Sequence, residues 1–125
     1  MSEAEKYLEM AEDSFADLQL LEEASDRAYW NSMYYSAFYA ARAALLTLGF
    51  EPKTHSGTDT LVAKILFKDE EYIGREDAKH YSQLKTIREE KDYNPEANVN
   101  FEKEEMKQKT QKLLQKMKNI VEENQ

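Results

Sequence analysis

The chain has 125 residues, no cysteine, three glycines, two prolines and a formal net charge of −8. That length suits a single core without staples. The missing thiols exclude disulfides and thiolate chemistry, and the acidic excess argues against a protein that coats nucleic acid through many neutralised phosphates.

Charge is unevenly placed. Residues 1–25 carry −7, residues 26–50 carry +1, residues 51–95 carry −2 and residues 96–125 are neutral. The middle of the chain can therefore present a local positive site. The first residues, Ser2-Glu3-Ala4-Glu5, are acidic and polar, unlike a secretory leader. The longest mostly apolar run, Ser36 to Phe50, is interrupted by Arg42 and is too short to span a bilayer. The expectation is a soluble, cytoplasmic protein with no membrane contact.

Ser2 is placed to cap a first helix that runs to about Glu23, with Leu8, Ala11, Phe15, Leu18 and Leu21 on one face. A second helix is predicted from Asp26 to Leu48, ending at Gly49. It is apolar almost all the way round: Trp30, Met33, Tyr34, Ala37, Ala41, Ala44, Leu45 and Leu48 fill one face, and Ala28, Tyr35, Tyr39 and Leu46 much of the opposite one. Such a helix must be covered on more than one side, which makes it the centre of the fold and a candidate dimer surface. Small residues at every fourth position (Ala28, Ser32, Ser36, Ala40, Ala44) allow close helix approach, either within the core or between two copies.

Pro and Gly gather only in the loop Phe50 to Gly57. A short third helix is predicted over Thr58 to Phe67, with Leu61, Val62, Ile65 and Leu66 apolar. A polar link leads to a fourth helix, Glu76 to Tyr93, which Pro95 ends. Asn98 or Asn100 is placed to cap a fifth helix, in which Met106, Thr110, Leu113, Met117 and Ile120 recur at helical spacing, and Glu122 to Gln125 are expected to fray. These elements predict one domain over residues 1–125, an all-α, up-and-down bundle of four to five helices.

One placement looks chemical. On the fourth helix Arg88 falls between Tyr81 and Leu84, on the apolar face. A guanidinium keeps its charge, so it needs a carboxylate, a carbonyl or a bound phosphate there. Asp92, one turn on, is the nearest partner in sequence. Two readings stay open: an internal Arg88–Asp92 pair, or an arginine that reads phosphate across a cleft. The second helix also offers Asn31 and Arg42 on a shared side, three turns apart. His55, ahead of the third helix, suits loop hydrogen bonding, and His80 is expected at the rim or surface. No His-x-x-x-His or Glu-x-x-His pair exists, so neither a metal nor a cofactor is expected. A Gly-rich phosphate loop and a nucleophile elbow are also lacking.

Three segments in order, Arg27 to Leu46, Lys53-Thr54-His55-Ser56-Gly57 and Arg88-Glu89-Glu90-Lys91-Asp92-Tyr93, resemble the HEPN (higher eukaryotes and prokaryotes nucleotide-binding) domain, in particular its small stand-alone prokaryotic branch. The resemblance covers roughly residues 26–94. It implies a helical bundle that forms a homodimer through the central helices. It also implies pairing with a minimal nucleotidyltransferase, often as a toxin–antitoxin couple, and a nucleotide or RNA ligand. Catalytic members are metal-independent ribonucleases that use an arginine, four to six further residues and then a histidine, with two subunits facing one cleft. Arg88 matches the arginine, but Tyr93, Asn94 and Pro95 stand where the histidine belongs. Without imidazole, the usual help for attack by a 2′-hydroxyl is gone, and a tyrosine with a reference pKa of about 10 is a poor base at neutral pH. Arg88, Asp92, Tyr93, Asn31, Arg42 and His55 are thus ligand-binding candidates, and no residue is assigned a catalytic role. Two further readings stay beside this one: a ribonuclease toxin with altered catalytic residues, and a non-catalytic protein whose acidic first helix meets a basic partner.

Overall fold

The computed structural model describes residues 1–125 and contains helices without strands. The first helical rod is α1 (Glu3–Ala16), followed after Asp17 by one further turn, α2 (Leu18–Leu21). Ser2 and Glu5 form a reciprocal cap, Ser2 Oγ accepting from Glu5 N at 3.1 Å and Glu5 Oε1 from Ser2 N at 3.2 Å. The continuous helix expected to Glu23 is therefore broken at Asp17 and ends two residues early.

The central helix, α3 (Asp26–Thr47), starts at Ser25, whose Oγ accepts from Ala28 N at 3.1 Å. It ends where Gly49 takes a φ of 94°. There Phe50 N donates to Leu45 O at 2.8 Å and Gly49 N to Leu46 O at 3.0 Å, so the last carbonyls are satisfied by a left-handed turn that suits glycine.

The third rod begins earlier than expected. Thr54 Oγ1 accepts from Gly57 N at 2.8 Å and starts α4 (His55–Leu61). This threonine is the N-cap signal that the sequence pattern overlooked. The rod continues in a wider π-helical stretch, Val62–Asp69, which keeps Val62, Ile65 and Leu66 buried.

Helix α5 (Arg75–Tyr93) opens at Gly74, whose N–H donates to Asp77 Oδ2 at 2.8 Å. Helix α6 (Lys103–Glu123) starts after Glu102 without a side-chain cap, so neither Asn98 nor Asn100 plays the expected role. The helix also stays regular almost to the end of the chain.

Helix α3 lies at the centre, packed by α1, α5 and α6. Twelve of its residues are buried, among them Tyr29, Trp30, Met33, Tyr34 and Leu45. The later part of the small-residue ridge is covered from within the chain, Ser36, Ala40 and Ala44 being buried, whereas Ser32 stays half-buried with its Oγ donating to Ser14 O of α1 at 2.8 Å. Ala28, Tyr35, Tyr39 and Leu46 stay half-buried. No helix is long and apolar enough to cross a membrane.

Candidate functional site

Helices α3, α4 and α5 meet around Tyr34. Its hydroxyl donates to Asp59 of α4, 3.2 Å from Oδ1, and Tyr81 of α5 donates to the same Oδ1 at 2.6 Å. Lys85 Nζ stands 3.7 Å from the other oxygen, and the Asp59 side chain is 8% exposed. Burial, then the nearby Asp59 charge, raises the Tyr34 phenol. Burial likewise raises Tyr81, ahead of the Tyr34 and Asp59 contributions. Both hydroxyls therefore stay protonated and keep donating to the carboxylate.

Above this network lies Arg88. Its guanidinium sits over the Tyr34 ring at 4.8 Å and within 6.0 Å of the Tyr35 ring. Nη1 reaches Asp92 Oδ2 at 3.4 Å, long for a charge-assisted bond. The shorter contact of Asp92 is to Arg27 Nε of α3, at 3.1 Å. Arg88 Nε is buried without a hydrogen-bond partner. The side chain is 20% exposed, and the Nη1 contact to Asp92 is the one hydrogen bond that its five donors make. The expected Arg88–Asp92 contact is present, but it is a shared, weak one and leaves the cation short of partners.

Farther along α3, Arg42 lies over Tyr7 of α1 at 5.1 Å and over Phe38 at 5.8 Å, and its Nε is also buried and unpartnered. His55 stacks on Phe38, with centroids 4.3 Å apart and planes at 21°. It also meets Tyr35 edge to face at 5.5 Å. Stacking therefore accounts for His55 better than the loop hydrogen bonding anticipated from sequence. Asn31 lines an open groove with Ala28, Ser32, Tyr35 and Tyr39 of α3 and with Ser14 and Leu21, a cavity of about 380 Å³.

The aromatic panel on α3 thus joins Arg88, Asp92, His55 and Arg42, with Asn31 on its flank. Tyr93 is not drawn in: it is 94% exposed. His80 departs from the rim position expected for it. It is 3% exposed, and its Nε2 lies 2.7 Å from Thr110 Oγ1 of α6. Because Thr110 donates its own proton to Met106 O at 2.8 Å, His80 is the donor in that contact. The helical wheel placed His80 beside the apolar face but could not show that α6 covers it.

Sequence reasoning missed Arg27, Tyr34, Asp59 and Lys91. Lys91 Nζ holds Asp26 Oδ2 at 2.6 Å and Pro95 O at 3.1 Å, tying the end of α5 to the start of α3. The Lys91 hydrogen bond, opposed by partial burial and aided by Lys103, keeps the Asp26 carboxyl below its usual range. Arg27 and Asp59 find partners 65 and 22 residues away, a separation that local periodicity does not report. No cluster of three or more His, Cys, Asp or Glu side chains suits a metal.

The family model for the HEPN domain matches residues 1–125. A curated relative, the protein named "Putative toxin MJ0142" of Methanocaldococcus jannaschii, is 33% identical over an alignment of 111 residues that covers 82% of this chain and 69% of the relative.

Proposed function

This chain belongs to the HEPN domain family, and on that premise we propose that it is a dimeric nucleotide- or RNA-binding module, one component of a toxin–antitoxin-type pair whose other member is a nucleotidyltransferase. The observation that carries the binding reading is Arg88: a guanidinium on an apolar aromatic surface, with a buried unpartnered Nε and one long contact to a carboxylate already shared with Arg27. A phosphate supplies the acceptors that this arginine lacks, in a setting where charge-assisted bonds are strong. The toxin name of the relative supports the paired system.

Binding is favoured over cleavage. Asp92 is engaged by two guanidiniums and Tyr93 is almost fully exposed, so neither is held as a proton carrier beside Arg88. For the dimer, the open flank of α3 at Asn31, Ser32, Tyr35 and Tyr39 offers the surface, which a second copy would meet with the same patch. The acidic first helix, α1, remains available to a basic partner.

The test titrates ATP, GTP and a short RNA against the wild type and Arg88→Ala, with light scattering on the same samples. Binding by the wild type and its loss in the variant support the reading. Binding indifferent to the substitution would make Arg88 structural, and a clean monomer would remove the dimer. RNA cleavage without added metal, lost in Arg88→Ala, would replace binding with the ribonuclease reading.

A further inference from the structure

The two arginines with orphaned Nε atoms flank one row of rings. Arg88 lies over Tyr34, and Arg42 is eight residues farther along α3, about 12 Å at 1.5 Å per residue. Between them stand Tyr35, Phe38 and His55. Phe38 is 3% exposed, whereas His55 is exposed. One face of the His55 ring is spent on Phe38 and its flank on the edge of Tyr35. The residue is exposed even so, and the face away from Phe38 is the one that a ligand can reach. An exposed planar ring, backed by a buried one and braced at its side, costs little further entropy to stack upon.

We propose that the outer face of His55 is a base-stacking subsite for single-stranded RNA, with Arg42 and Arg88 receiving phosphates on either side of it. This rests on the reading of Arg88 as a phosphate ligand and names the class of nucleic acid that the site takes. A stacked base must be unpaired, so a duplex is excluded. Two cations on separate helices, one over Tyr34 and one over Phe38, serve a chain better than one mononucleotide phosphate. Few phosphates are contacted, in keeping with a protein of net charge −8. Affinity then leans on stacking rather than on counterion release, and its salt dependence is shallow: two phosphates on a single strand give a log–log slope of about −1.4.

A ring that only plugs the surface over Phe38 would be replaceable by any apolar side chain of similar bulk. The experiment uses that difference. Fluorescence anisotropy of a short fluorescein-labelled oligoadenylate is measured with the full chain, wild type, His55→Leu, His55→Trp, Arg42→Ala and Arg88→Ala, each checked for an intact thermal transition. His55→Leu is expected to weaken binding on the order of 5- to 150-fold, the loss typical of one stacked base, whereas His55→Trp keeps or improves it. Arg42→Ala should weaken binding and reduce the salt slope by about 0.7. If Arg88→Ala weakens binding but His55→Leu does not, the subsite is wrong and the Arg88 reading stands. Equal affinity for the same strand in a duplex also overturns the subsite. Failure of the wild type to bind overturns both.

Discussion

Lowering the pH should destabilise the fold through His80. Its ring is sealed between α5 and α6, where it donates to Thr110, and its Nδ1 is buried without a partner. Burial, with some help from Lys109 and against the opposing pull of Asp77, lowers its pKa from 6.5 to about 4. The unfolded chain therefore binds the proton more readily than the folded one. The stabilising difference is whole above pH 6.5 and is lost as pH falls from 6.5 towards 4. At 1.36 kcal/mol per unit the full loss is about 3 kcal/mol, a large part of the ~5–15 kcal/mol that holds a domain together. Urea unfolding of the wild type and His80→Gln from pH 7.5 to 4.5 isolates this contribution, because carboxylate effects are common to both. The wild type should lose about 2–3 kcal/mol more than the variant over that range. Parallel stability profiles, or an NMR titration of His80 near 6.5, would refute the sealed-ring reasoning.

Asp59→Ala removes the common acceptor of Tyr34 and Tyr81. At about 1–3 kcal/mol for each orphaned hydroxyl it should cost several kcal/mol by chemical denaturation, and a loss under 1 kcal/mol would mean that water replaces the carboxylate. Lys91→Met leaves Asp26, itself 44% exposed, with Lys103 alone. The loss should fall between the ~0–1 kcal/mol of an exposed pair and the ~3–5 kcal/mol of a buried one, as read by thermal unfolding. Tyr93→Ala should move stability by no more than about 0.5 kcal/mol, because its ring is exposed; a larger drop in melting temperature would show that Tyr93 is packed.

The bundle was legible because its signals are local. The all-round apolar pattern of α3, the capping serine before α1, Gly49 and the heptad-like spacing in α6 each act within a few residues. The break at Asp17 and the π-helical stretch after Leu61 were not legible, since no proline or glycine marks either place. At the site, the wheel correctly set Arg88 on the apolar side of its helix. It could not supply the ring beneath it, the claim of Arg27 on Asp92 or the stacking of His55, because those contacts join α3, α4 and α5 across the bundle. His80 erred for the same reason, its cover coming from α6.

In the function proposed, Arg88 binds ligand and is not a strut. Thermal unfolding of the wild type and Arg88→Ala, each with and without a saturating short RNA, tests it in one measurement. Without RNA the two melting temperatures should lie within about 4–8 °C, since the substitution removes only a partly exposed pair and one cation–π contact, together about 1–2 kcal/mol. With RNA at 100 times its Kd the wild type should gain about 2.7 kcal/mol of stability, and Arg88→Ala little or none. Collapse of the variant without RNA, matched by collapse of Asp92→Ala, would instead identify the arginine as a support of the fold, and an equal gain with RNA in both proteins would place the ligand elsewhere.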